Sequence, residues 1–241
     1  LTDIKEGEFS DLVLESRTTW DSGWPNKYYD SSVREDRLML FKRIKEQTQL
    51  SEKQMVRTGQ YKNVFSALNY LYGHHLNIQV GEILEDLLVS ACFGSPSIYN
   101  IGHIRKVIEY LFYSMVKNNL LPLNLKNVNN KMNLEGYSRL LSALDVDCNG
   151  IHYKVIIPII NKVMAKNIHN LLQLGNSGSH AANDSNSKDL DEYLQKVGTN
   201  NLLNSCALQL CDVILWYEQI IKDTQKQMEQ RGKVFQWWSE V

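Results

Sequence analysis

Apolar residues recur at helical spacing along most of this chain and seldom alternate with polar ones as they would in a strand. In the second half, apolar positions three and four residues apart run through residues 98–117, 134–144, 155–174 and 200–230. Residues at this spacing share one face of a helix, so each stretch predicts a helix with a buried side. The pattern predicts an all-α fold whose C-terminal part is an antiparallel bundle of four or five helices.

The N-terminal part predicts a smaller helical unit preceded by an irregular aromatic arm. Residues 1–31 carry tryptophans and tyrosines among Asp, Ser, Gly and Asn, with no sustained period. Ser32 with Glu35, and again Ser51 with Gln54, have the form of a capping box that starts a helix. Three stretches of apolar residues at helical spacing then predict helices: residues 32–47, 64–72 and 78–93.

Turn-forming residues divide the helical pattern at three places. Gly94-Ser-Pro-Ser97 combines glycine and proline, which predicts a domain boundary between residues 96 and 97. Residues 118–133 hold seven asparagines and predict a loop. A further polar loop is expected over residues 177–189. The two expected domains are residues 1–96, whose role the sequence does not indicate, and residues 97–241, the helical bundle.

The charged residues are unevenly distributed. The formal net charge is −1, but residues 97–180 hold nine Lys or Arg against four Asp or Glu, and the segments on either side each carry −3. This balance argues against a positive electrostatic potential over the whole protein that would attract nucleic acid, and it indicates one locally basic segment. No apolar run approaches the roughly 20 residues of a membrane span, and the first residues are polar. We therefore expect a cytoplasmic protein without a membrane partner.

Gly175-Asn176 followed by His180 interrupts a helical pattern and is the main candidate for chemistry. An imidazole that follows glycines at a helix end can reach a ligand or another subunit. A second candidate pair, Arg105 and Glu109, lies one turn apart on an earlier predicted helix. The histidines and cysteines show no metal-ligand spacing, so we expect no metal site and we expect the four cysteines to be structural free thiols.

The two motifs, in this order and ahead of a long apolar helix, resemble the HEPN superfamily (higher eukaryotes and prokaryotes nucleotide-binding domains). They resemble in particular its uncharacterised branch, which is found alone or fused to restriction and other anti-phage proteins. The resemblance covers about residues 97–225. It implies an antiparallel helical bundle that often dimerises, and a protein of a prokaryotic defence or stress system that binds RNA or a nucleotide.

Active members of this family are similar to metal-independent ribonucleases. RNA brings its own 2′-hydroxyl nucleophile, so the protein needs only a base, an acid and a cation, and no cofactor is implied. The resemblance implies four catalytic candidates: His180, Asn176, Arg105 and Glu109. It implies four further residues as binding candidates: Gln173, Gly175, Ser177 and Ser179.

One position departs from the family pattern. In the related branch an arginine precedes the Gly-Asn pair by a few residues, whereas this chain has no arginine between Arg139 and His180. Gln173 can hydrogen-bond a phosphate but carries no positive charge, so transition-state stabilisation should be weaker by about 2–4 kcal/mol. Arg105 is the candidate replacement, and whether the chain is an enzyme stays open.

Each motif also has a structural explanation. Arg105 and Glu109 can form an i,i+4 ion pair worth about 0.2–0.5 kcal/mol. Gly175-Asn176 can cap the end of a helix, because glycine adopts the left-handed conformation easily. His180 can hold a loop against a neighbouring helix. These explanations leave the two motifs without a direct role in chemistry.

The alternative function is therefore a non-catalytic dimerisation or protein-interaction module. The wide apolar face of residues 200–221 and the aromatic residues near the chain end suit such docking. Trp237 and Trp238 are expected to pack on protein rather than to stack on bases. The partners predicted from the sequence are thus RNA or a nucleotide, and a second copy of the chain or another protein.

Overall fold

The computed structural model describes residues 34–93, 98–127, 129–179, 201–231 and 236–241, together with residues 192 and 196. The described residues form seven helices of eight to 31 residues and one small sheet. The helices are α1 (Arg34–Thr58), α2 (Lys62–Tyr72), α3 (Gln79–Phe93), α4 (Ile98–Lys117), α5 (Leu134–Leu141), α6 (Lys162–Ser179) and α7 (Asn201–Arg231). The strands are β1 (Val146–Cys148), β2 (Ile151–Val155) and β3 (Trp238–Glu240). The predicted all-α fold class is confirmed, while the antiparallel bundle of four or five helices stays a prediction.

The chain divides into two compact units, Leu1–Gln49 and Leu50–Val241. In the first unit, the described residues belong to α1 and carry three exposed apolar side chains: Leu38, Phe41 and Ile44. The second unit contains the main hydrophobic core. The aromatic arm expected over residues 1–31 and the boundary segment 94–97 lie outside the described residues, and the division at residue 97 stays a prediction.

The core of the second unit is built around α4, α6 and α7. The most extensive helix contact joins α4 to α6, and α7 packs against α2, α3, α4 and α6. Along α7 the apolar residues at helical spacing are buried by these contacts: Leu203, Cys206, Leu210, Val213, Ile214 and Tyr217. The wide apolar face of residues 200–221 is thus used for internal packing, which removes it as evidence for docking to a partner.

A buried polar cluster joins α4 to α7 inside this core. The Ser114 and Tyr217 hydroxyls lie 2.7 Å apart, and Asn118 Nδ2 donates to the Tyr217 oxygen at 3.0 Å. The His74 carbonyl accepts from Ser114 and from Asn118, at 2.8 and 2.7 Å. Burial raises the pKa of Tyr217 to about 12. Because buried hydroxyls are costly without partners, this cluster fixes the relative position of the two helices.

The small antiparallel sheet, in the order β1-β2-β3, was not expected from the sequence. Val146 pairs with Tyr153, and Cys148 pairs with Ile151 across a two-residue turn. Asn149 and Gly150 form that turn with φ angles of 52° and 80°. An Asn-Gly turn with both residues at positive φ is the preferred connection of a tight hairpin.

The predicted helix starts at residues 155 and 51 are wrong. The helix expected from residue 155 begins at Lys162, because residues 151–155 form a strand instead. Asn161 caps α6 by accepting from the Met164 amide at 2.9 Å. The helix expected to restart at Ser51 does not restart, since α1 continues through that residue to Thr58.

The two tryptophans near the end of the sequence pack on the protein, as predicted. Trp237 is 1% exposed, and its Nε1 donates to the Leu120 carbonyl at 2.7 Å. Trp238 Nε1 donates to the same carbonyl at 3.2 Å. Trp238 also pairs with Val155 at the edge of the sheet. In the described part of the chain, no helix combines the length and the apolar character needed to cross a membrane.

Candidate functional site

Gly175-Asn176 lies inside α6, and the helix continues to Ser179. The prediction that this pair ends the helix is therefore wrong, and so is the expected start of a loop at residue 177. A methyl group built on Gly175 would lie 2.6 Å from the Arg105 amide nitrogen, 2.9 Å from its Cα and 2.8 Å from its Cβ. Carbon atoms in contact are normally about 3.5–4.0 Å apart. Gly175 is thus present because α4 and α6 approach closely there.

The sequence contained a signal for this packing role. Ile168, Leu171, Leu172 and Gly175 follow the spacing i, i+3, i+4 and i+7, which is the pattern of a single helix face. The three apolar residues are at most 1% exposed, and Gly175 is buried beside them. A glycine that continues an apolar face indicates close helix packing more strongly than it indicates a helix end.

Close packing at Gly175 brings Arg105 of α4 next to the Gly-Asn segment of α6. The side chains of Arg105 and Asn176 are both half-buried, and both take part in polar or electrostatic contacts. Glu109, one turn further along α4, is exposed. The first motif therefore contacts the second where the Arg105 backbone meets Gly175. Glu109 lies on the surface.

Gln173 lies on a different side of α6 from Gly175. Two residues along a helix correspond to a rotation of about 200°, so the two positions face in nearly opposite directions. Gln173 Nε2 donates to Glu135 Oε2 of α5 at 3.2 Å. The Ser177 hydroxyl donates to the Gln173 carbonyl at 3.1 Å, within the same helix. Glu135, which sequence reasoning did not single out, is thus the neighbour of this binding candidate.

The positions available for the family's arginine differ in exposure. Leu171 and Leu172 are fully buried, Leu174 is half-buried, and Gln173 is exposed. Position 173 is the one from which a guanidinium in this segment would reach solvent and a phosphate most directly. Gln173, the polar residue among positions 171–174, thus occupies the one exposed position of that segment.

His180, the central catalytic candidate, lies outside the described residues. Ser179 is the last residue of α6, and its side chain also lies outside what the structure describes. Among the described residues, no three His, Cys, Asp or Glu side chains come together as a group that could hold a metal ion. The structure thus describes the α4–α6 contact beneath the second motif and leaves the imidazole itself as a prediction.

The cysteines differ in environment. All four are free thiols; Cys206 and Cys211 are buried, Cys148 is half-buried and Cys92 is exposed. Burial raises the pKa of Cys206 to about 11 and that of Cys211 to about 12. Both buried thiols stay protonated at neutral pH and pack as small apolar groups, as expected for structural cysteines.

Comparisons of this chain with protein-family models, with curated proteins and with solved structures find no match. The candidate site therefore depends on the residues of this chain and on their geometry.

Proposed function

We propose that this chain is a HEPN-like protein that binds RNA or a nucleotide at the end of α6, of the kind that serves prokaryotic defence or stress systems. Cleavage by such a site would be metal-independent, with His180 transferring a proton. The observation that supports the proposal best is the close approach of α4 to α6 at Gly175. It brings a cationic residue, Arg105, beside the segment that leads to Asn176 and His180.

The local charge supports the same proposal. The segment that contains both motifs, residues 97–180, has five more basic than acidic residues, nine against four. Phosphate groups are attracted to such a segment although the whole chain is nearly neutral. The resemblance to metal-independent ribonucleases then suggests RNA, whose 2′-hydroxyl is the nucleophile.

A ribonuclease assay in the presence of EDTA tests the catalytic form of the proposal. Wild type is compared with His180→Ala, and with His152→Ala as a control that removes an exposed imidazole from the β1–β2 hairpin. We expect cleavage by wild type and by His152→Ala, and loss of cleavage in His180→Ala. Equal cleavage by all three proteins, or cleavage by none, would remove the catalytic function and leave binding alone.

Gln173→Arg tests whether the missing cation limits the reaction. If a positive charge at this exposed position restores about 2–4 kcal/mol of transition-state stabilisation, the rate should rise roughly 30- to 1,000-fold. Gln219→Arg adds the same charge at an exposed position of α7 and is the matched control. An equal effect of both substitutions would indicate general electrostatic attraction rather than a defined role at position 173.

A second candidate function is dimerisation or docking to a partner protein, and one observation favours it. Leu38, Phe41 and Ile44 of α1 are 60%, 67% and 53% exposed. Their spacing of three residues forms an apolar stripe on that helix, which is typical of a protein-binding surface. Sedimentation of wild type and Phe41→Asp tests this candidate: a dimer that Phe41→Asp dissociates would support it, and a monomeric wild type would exclude self-association.

A further inference from the structure

Besides Val163, which is 70% exposed, the outward side of α6 carries five polar residues. Four of them are exposed and one is half-buried, and we call the set the α6 polar stripe: Lys162, Lys166, Asn170, Gln173 and Ser177. At about 100° per residue these positions fall within roughly 80° of rotation. The opposite side of the helix is the buried one described above, so the stripe faces away from the core along the whole helix.

Arg139 of α5 extends the stripe sideways. Ser138 Oγ lies 3.4 Å from His169 Nδ1, and Glu135 accepts from Gln173. These two contacts hold α5 alongside α6. Arg139 follows Ser138, is exposed, and lies one turn from Glu135. Its guanidinium therefore belongs to the same surface as the stripe.

Ion pairing does not explain why cations occupy this surface. Within the described part of the chain, Lys162, Lys166 and Arg139 make no ion pair. Lys162 also lies in the first turn of α6, which contains no acidic residue. A positive charge at the start of a helix is unfavourable with respect to the helix dipole. Arg139 lies in the last turn of α5, where a positive charge is favourable with respect to the helix dipole. The two lysines, which no acidic partner explains, therefore point to an anionic ligand, and Arg139 is the cation beside them.

We propose that the α6 polar stripe and Arg139 bind single-stranded RNA along α6 and lead it to the Asn176 end of the helix. This inference rests on the proposed function and names its substrate class. Lys162, Lys166 and Arg139 contact phosphates, while the amides of Asn170 and Gln173 hydrogen-bond to bases or to 2′-hydroxyls. The stripe from Lys162 to Ser177 is about 22 Å long, which suits a site of about four nucleotides or more.

The geometry favours single-stranded over double-stranded RNA. The major groove of an RNA duplex is too deep and narrow for side chains to read its bases. Amide side chains that project from one convex helix reach base edges only when the bases are unstacked. The 2′-hydroxyl, which can both donate and accept, is a further partner for the two amides and distinguishes RNA from DNA.

The test is fluorescence anisotropy with a labelled 12-nucleotide single-stranded RNA and the full chain. The variant Lys162→Gln/Lys166→Gln/Arg139→Gln is compared with Lys42→Gln/Lys62→Gln/Lys226→Gln, which removes three exposed cations from α1, α2 and α7. Loss of three phosphate contacts should weaken binding at least about 10-fold and reduce the slope of log affinity against log salt by roughly 2. The control variant should bind as wild type does.

Each of the other outcomes is decisive. If wild type binds RNA, the stripe variant binds equally well, and Asn176→Ala/His180→Ala loses binding, the stripe is excluded and the proposed function stands. If wild type binds neither RNA nor mononucleotides, the proposed function fails and the stripe proposal fails with it. Wild-type binding that is equal for single-stranded RNA, duplex RNA and single-stranded DNA overturns the assignment of the substrate class.

Discussion

Replacement of Gly175 by alanine is the most direct test of the contact between α4 and α6. The added methyl group would lie 2.6–2.9 Å from three atoms of Arg105, of which two belong to the backbone. Side-chain rotation cannot relieve contacts with backbone, so the helices must separate locally by roughly 0.6–1 Å to reach normal contact distances. That separation weakens the most extensive helix contact of the fold.

The expected cost follows from two opposing effects. Overpacking a well-packed contact costs about 1–3 kcal/mol, and a rigid backbone neighbour favours the upper part of that range. Alanine is preferred over glycine in a helix interior by about 1 kcal/mol. We therefore expect Gly175→Ala to lower the free energy of unfolding by about 1–2 kcal/mol, which corresponds to a decrease in Tm of roughly 2–8 °C for a chain of this size.

Urea unfolding followed by circular dichroism at 222 nm measures this change. Gly73→Ala is the matched control, because a methyl group there meets only the Tyr70 carbonyl oxygen, at 3.3 Å, and its backbone has φ −65°. The control should be neutral within about 0.5 kcal/mol. A Gly175→Ala protein as stable as wild type, or more stable, would refute the close approach of the two helices.

Three further predictions concern other parts of the fold. Trp237→Ala should lower the free energy of unfolding by about 3–5 kcal/mol in urea, because a fully buried aromatic ring and its hydrogen bond are lost. At pH 8 Cys92 should react with an aromatic disulfide in the native protein, and Cys211 should react only after unfolding. Burial raises the pKa of Cys211 from 9.0 to about 12. The contribution of this thiol to the free energy of unfolding is therefore complete below pH 9 and should decline between pH 9 and 12. Arg57→Leu should lower the free energy of unfolding by about 1–3 kcal/mol, because it removes a bidentate partner of the buried Glu85 carboxylate. The double variant Arg57→Leu/Glu85→Leu should recover part of that loss.

The helices could be predicted from the sequence because their signal is local and repeated. The apolar period over residues 98–117 and 200–230 locates α4 and α7 to within one residue at each end. Periodicity fails where a strand is short, because β1 has three residues and β2 has five. The turn between the two strands could nevertheless have been predicted from the sequence, since Asn149-Gly150 is a strong signal for a hairpin.

The candidate site could be predicted only in part. Sequence spacing identified Arg105 and Gly175, but it could not show that their backbones touch, because contacts between distant segments depend on the tertiary packing of both helices. It also assigned Gly175 to a helix end, since glycine serves equally well as a C-cap and as a packing residue. The contact of Gln173 with Glu135 was not predictable for the same reason.

The two sides of α6 allow stability and binding to be separated. The contact at Gly175 sets the distance of α6 from α4, while the polar stripe on the other side makes no contribution to that packing. Gly175→Ala should therefore reduce both the free energy of unfolding and RNA affinity, because it displaces the helix that carries the stripe and Asn176. The stripe variant should reduce affinity alone, since its three side chains are exposed and make no ion pair within the described residues. Only a ligand that lies along the outward side of α6 would produce this difference.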